Sequence, residues 1–101
     1  MDVKKKSTPE QELYELLASL ESAEEVRALL YDMCTPNEIE HMAQRLECAK
    51  RLMQGETYEE VIAETEISSA TLSRVSRCIQ HGSGGYNRVL KKRLKTEAHK
   101  E

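Results

Sequence analysis

The chain has 101 residues, a net charge of −3, 33% charged and 4% aromatic residues, and neither Phe nor Trp. That is room for one domain with a modest core of Leu, Ile, Val, Ala and Met, and a composition poor in Gly and Pro favours an all-α fold. It excludes a disulfide scaffold and a membrane span: Cys34, Cys48 and Cys78 are odd in number with no CxxC pair, and no apolar run approaches spanning length. The cysteines read as reduced thiols of a cytoplasmic protein, and no secretory segment is seen near the start.

"MDVKKKST", residues 1–8, reads as a disordered basic arm. Helix starts then recur. Thr8 caps, Pro9 suits the first helical position and Gln11 completes a capping box. Leu13, Leu16, Leu17 and Leu20 follow as an apolar stripe. Ser22 and Glu25 form a second box ahead of Val26, Leu29, Leu30 and Met33. Thr35, Pro36 and Glu38 start a third helix, which runs to about Gln54 with Gly55 as a left-handed stop. Thr57 and Glu60 open a short fourth helix. Ser68 or Ser69 caps a fifth, ending near His81. "GSGG" reads as a flexible hinge, and Tyr86 to about Leu94 as a sixth helix, with a flexible tail over 96–101. One all-helical domain over 9–95 is expected, with no strand pattern and no internal repeat. The Leu-rich stripe serves either an intramolecular core or a dimer axis, and small size with this patterning favours a homodimer.

Charge is divided along the chain. Residues 1–67 hold 7 Lys+Arg and 16 Asp+Glu, a balance of −9, whereas residues 68–101 hold 8 and 2, a balance of +6. The basic third points to a polyanion partner or to a solvated tail. Residues 57–81 make a helix-turn-helix candidate. Val61, Ile67, Leu72, Val75 and Ile79 are its inward positions, joined by Ile62, and Cys78 reads as a core residue. Ala70, Ser73, Arg74 and Arg77 fall on the opposite side of the fifth helix. Small residues at Ser68, Ser69, Ala70 and Thr71 allow close approach to base edges, and Arg74 and Arg77 can reach phosphate or guanine. Thr57, Arg88 and the Lys91–Lys95 run are phosphate-contact candidates. Two features oppose this. Glu66 stands at a turn position often filled by Gly, so the turn must accept an unusual backbone conformation or be reshaped. Glu56, Glu59, Glu60, Glu64 and Glu66 would repel phosphate if they faced it.

The span from "LLYDMCTPNE" through "QRLECAKRLMQGETYEEVIAETEISSATLSRVSRCIQHG" to "YNRVL" resembles the Trp repressor family, closest to its YerC/YecD branch of Trp-repressor-related proteins. "TPNE", the L-x-x-G-E at Leu52–Glu56 and "ATLSR" at Ala70–Arg74 carry the resemblance. It implies six helices, an intertwined homodimer, and a helix-turn-helix that reads double-stranded operator DNA as two half-sites about one helical turn apart. It also implies a ligand site: the two arginines that frame tryptophan in the family fall on Arg45 and Arg74, and Thr35 falls on a threonine near the ligand. Val75 stands where the family has glycine, and Cys78 where it has serine. Valine adds bulk where an indole needs open space, which argues against tryptophan as effector. A smaller anion held by Arg45 and Arg74, or no ligand at all with Val75 filling the site and the arginines in salt bridges, remain as alternatives.

No nucleophile–base constellation is present, so an enzyme is not expected. His41, His81 and His99 do not assemble a metal site with the cysteines, and neither a metal nor another cofactor is expected. The expected function is sequence-specific DNA-binding transcriptional regulation. The alternative is a helical dimeric protein-interaction module that has kept the fold without specific DNA binding.

Overall fold

In the computed structural model residues 7–100 are described, with side-chain surroundings through Leu94. The basic arm read over 1–8 therefore lies outside the described residues as far as Lys6, as do the side chain of Lys95 and those of the tail. Six helices make up the described chain: α1 (Pro9–Ser19), α2 (Ala23–Met33), α3 (Pro36–Met53), α4 (Tyr58–Thr65), α5 (Ser69–His81) and α6 (Gly85–Lys100). They form two compact units, divided after Ile39 within α3.

The first unit holds α1, α2 and the start of α3. Its helices begin where side chains satisfy the free backbone N–H groups of a helix N-terminus, each cap contributing about 1 kcal/mol. Thr8 Oγ1 accepts from the Gln11 N–H at 3.0 Å, but the Gln11 amide turns forward to Glu15 Oε2, so this box is one-sided. Ser22 Oγ accepts from Glu25 N–H, while the Glu25 carboxylate reaches past the cap to Glu21 N–H. Thr35 and Glu38 close a reciprocal box at 3.1 and 2.8 Å. No residue of α1 or α2 is buried. Leu13, Leu17, Val26, Leu29 and Leu30 are only half-covered, and Tyr14, Leu16, Tyr31 and Met33 are exposed. Ala23, Val26, Leu30, Tyr31 and Ile39 line an open apolar groove of about 460 Å3, with Arg27 stacked on the Tyr31 ring.

The second unit holds the rest of α3 with α4, α5 and α6, and it contains the buried core. α3 stops in a Schellman turn: the Glu56 N–H reaches Arg51 O and the Gly55 N–H reaches Leu52 O, with Gly55 at φ 99°. Cys48, Val61, Ile67 and Leu72 form one buried cluster, flanked by Leu52 and Ile62, which joins α4 and α5 to α3. Ala49, Val75 and Leu90 form the second, flanked by Leu52, Met53, Ile79 and Tyr86, which joins α5 and α6 to α3. Leu52 touches both clusters.

The α5–α6 junction is a built corner, where the sequence suggested a hinge. Gly82 caps α5 by donating to Cys78 O, and a Cβ there would collide with that carbonyl oxygen. Asn87 Nδ2 donates back to Ile79 O at 2.7 Å, so the first turn of α6 holds the last turn of α5. α6 also continues past Leu94, where the periodicity stops.

Candidate nucleic-acid interface

α4 begins on a full capping box. Thr57 Oγ1 accepts from Glu60 N–H, and Glu60 Oε1 accepts from Thr57 N–H at 2.8 Å. Glu60 is thereby engaged along the backbone. Glu56 is engaged too: it accepts from Arg51, whose guanidinium also binds Glu47 at 2.9 Å. Both carboxylates raise the Arg51 pKa, the Glu56 hydrogen bond most. Of the five acidic residues around α4, Glu59, Glu64 and Glu66 remain exposed without such a partner among the described residues.

The turn keeps its shape rather than being rebuilt around Glu66. Glu66 adopts the left-handed conformation, φ 61° and ψ 20°, and its N–H closes α4 on Ile62 O. Beside it stands a residue that the periodicity did not single out. The Thr65 hydroxyl donates to Val61 O at 2.7 Å and accepts from Ile67 N–H at 3.3 Å. The buried Cys48 thiol of α3 donates to the same oxygen at 3.7 Å, and Gln44 Nε2 donates to Thr65 O at 3.3 Å. The clue in sequence was a threonine one turn after Val61 at the end of a short helix, where hydroxyls bond back to the i−4 carbonyl.

α5 divides as its wheel predicts. Leu72 and Val75 are buried with Ser76, and Ile79 is half-buried. Ser68, Ser69, Ala70, Ser73, Arg74 and Arg77 are exposed, and Thr71 is half-buried. Ser68 is the N-cap: its oxygen accepts from Thr71 N–H and its hydroxyl donates to Thr71 Oγ1 at 2.9 Å. Its donor is thus used within the helix, whereas the Thr71 hydroxyl proton and the Ser69 and Ser73 side chains have no acceptor among the described residues. Among the described residues Arg45, Arg74 and Arg77 form no hydrogen bond or ion pair.

A cleft of about 280 Å3 lies at the start of α5, lined by His41, Gln44, Arg45, Glu66, Ile67, Ser68 and Thr71. Of the residues matched to a ligand site, only Arg45 lines it. Arg74 stands on the outer side of α5. Val75 is 2% exposed and packs into the Ala49–Leu90 cluster. Cys78 is exposed in the single chain, a correction to its reading as core: it sits at the border of the apolar stripe, beyond Val75 and Ile79. Thr35 belongs to the first unit, where its hydroxyl caps α3. Burial pushes the Tyr86 phenol above its ordinary range, partly opposed by the positive charge of Arg45. Among the described residues no cluster of His, Cys, Asp and Glu is placed to hold a metal, and no helix is long and apolar enough to cross a membrane.

An all-helical chain with two short helices held at an ordered turn, the second presenting small and basic residues outward, is a helix-turn-helix protein. The family model described as "Trp repressor protein" matches residues 10–94, and the chain belongs to that family. It is 42% identical over 86 residues to the uncharacterized protein YerC of Bacillus subtilis (strain 168), covering 85% of this chain and 83% of that one. A crystal structure of a Trp repressor candidate from Staphylococcus aureus matches with TM-score 0.78 and 40% identity over 82% of this chain and 83% of that one. A TrpR-like protein from Eubacterium eligens ATCC 27750 matches with TM-score 0.76 and 38% identity, over 80% and 84%.

Proposed function

We propose that the chain is a cytoplasmic, sequence-specific DNA-binding regulator of transcription, acting as a homodimer on double-stranded operator DNA without tryptophan as effector. The observation that carries it is the outer side of α5: Ser69, Ala70, Ser73, Arg74 and Arg77 are exposed together, and both arginines lack an internal partner among the described residues. Such a helix offers small side chains to base edges and guanidinium groups to phosphate or guanine. Ser68 and Thr71 lie at its start, Thr57 at the start of α4, and Arg88 with the basic run of α6 supplies further phosphate contacts. Arg51 offsets part of the acidic charge that opposed this reading by pairing with Glu56, while the Glu60 carboxylate is held against the backbone at the start of α4 and keeps its charge.

The dimer is supported by the first unit, whose helices bury no residue within one chain and leave Tyr14, Leu16, Tyr31 and Met33 uncovered. A second copy of this apolar surface is its natural cover. The absence of a tryptophan effector is supported by Val75, which stands where the family has glycine and is packed tightly with Ala49 and Leu90.

The test is fluorescence anisotropy of the purified protein against fragments of its own genome, with scrambled fragments as competitor. Selective retention that falls steeply with salt is expected, because phosphate contacts release counterions. Arg77→Glu should abolish it while leaving the helical content unchanged. If the wild-type protein shows no preference among fragments, or if Arg77→Glu binds as wild type, the reading fails.

A further inference from the structure

We infer that Thr65 is the positioning residue of the helix-turn-helix: its hydroxyl and its carbonyl, tied together to α3 and α4, set the direction in which α5 leaves the turn. This rests on the DNA-binding reading for its consequence, but its geometry stands by itself.

Four groups meet at this residue. The hydroxyl hydrogen goes to Val61 O, one turn back on α4. The oxygen accepts from the N–H of Ile67, the residue that links the turn to the cap of α5. The Cys48 thiol, fully buried on α3, donates to the same oxygen. The Thr65 carbonyl accepts from Gln44, a second residue of α3. Immediately after it, Glu66 holds the left-handed conformation that turns the chain towards Ser68. A non-glycine residue is held there only when its surroundings over-determine it.

These contacts do something that packing does not. Val61, Ile67 and Leu72 bury apolar surface whichever way the start of α5 is tilted by a few degrees, because hydrophobic burial is non-directional. Hydrogen bonds from Gln44 and Cys48 to one residue are directional, and they reference the turn to α3. The outward side chains Ser69, Ala70 and Ser73 depend on that reference to meet base edges. Non-specific phosphate binding by Arg74 and Arg77 does not, since long side chains tolerate a small tilt. Loss of the hydroxyl should therefore cost selectivity before it costs stability or general affinity.

The isosteric change Thr65→Val removes the hydroxyl and keeps the volume, and Thr65→Ser keeps the hydroxyl. Two measurements are made on each: amide hydrogen exchange at Ile67, Thr71 and Leu72, whose N–H groups are bonded at the turn and the cap, and anisotropy against the fragments retained by wild type and against scrambled duplex. Thr65→Val is expected to lose protection at those amides and about 5- to 10-fold of affinity for the retained fragments, the scale of one net hydrogen bond. Its affinity for scrambled duplex should stay within about 2-fold of wild type, inside the scatter of a lost contact of no consequence. Thr65→Ser should keep both properties. Gln44→Leu, at a half-buried site, should reproduce the loss and stands in if Thr65→Val does not fold. Equal behaviour of the Val and Ser variants, or parallel loss on both kinds of duplex, would overturn the inference. If wild type binds no fragment selectively, the DNA reading fails, and the exchange data alone decide whether Thr65 orders the start of α5.

Discussion

Replacing Glu66 by glycine should make this protein more stable, although it deletes a side chain. Glu66 is the only described residue besides glycine with positive φ, at 61°, and it closes α4. An L-residue in the left-handed region costs about 1–2 kcal/mol, because Cβ crowds the following carbonyl. Glycine escapes that cost but loses more freedom on folding, about 0.5–1 kcal/mol relative to alanine. The difference is a gain of about 0.5–1 kcal/mol, which for a domain of this size raises Tm by about 2–8 °C. Thermal melts followed by far-UV circular dichroism measure it, at matched protein concentration because an associating chain has a concentration-dependent Tm. Glu66→Ala separates backbone from charge, since it removes the carboxylate but keeps Cβ. It should gain nothing. Equal stabilisation by Ala and Gly would show that charge, not backbone geometry, is the cost at this position, and a less stable glycine variant would refute the reasoning outright. In either variant, loss of a carboxylate at the start of α5 should strengthen DNA binding at low salt.

Leu72→Ala empties a fully buried site between α4 and α5 and should destabilise by about 2–5 kcal/mol in urea unfolding. Tyr86 supplies a pH prediction. Its folded pKa is raised by burial above the unfolded value of 10.0, so its contribution is fully present below that pH and is lost as pH rises through the folded value. Tyr86→Phe should flatten this part of the alkaline stability profile, and an unchanged profile would count against the burial of the phenol. Titration calorimetry with L-tryptophan should give no binding heat, because Val75 is packed against Ala49 and Leu90; saturable micromolar heat would contradict it.

Much of this fold was legible before any coordinate, and the reason is locality. The starts of α1 to α5 are marked by Thr8, Ser22, Thr35, Thr57 and Ser68, whose hydroxyls accept from backbone three residues on, within reach of the sequence pattern. The stop at Gly55 is equally local. The buried positions Val61, Leu72 and Val75 follow from helical periodicity, because the apolar stripe must face whatever core exists, and Ile67 stands out as the apolar residue of the turn between the two helices. The outward set from Ser68 to Arg77 is the complement of that stripe. What lay beyond the sequence depends on partners far apart along it. Thr65 reads as one more polar residue among glutamates until Gln44 and Cys48, 21 and 17 residues away, converge on it. "GSGG" reads as a hinge until Gly82 is seen against the Cys78 backbone and Asn87 bonds to Ile79. Cys78 could be called core or surface because it lies at the edge of a stripe, where only the actual neighbouring helix decides. Local hydrogen bonds and periodicity are properties of a short segment and can be read from it, whereas the direction of a turn and the filling of a gap arise only when distant segments meet.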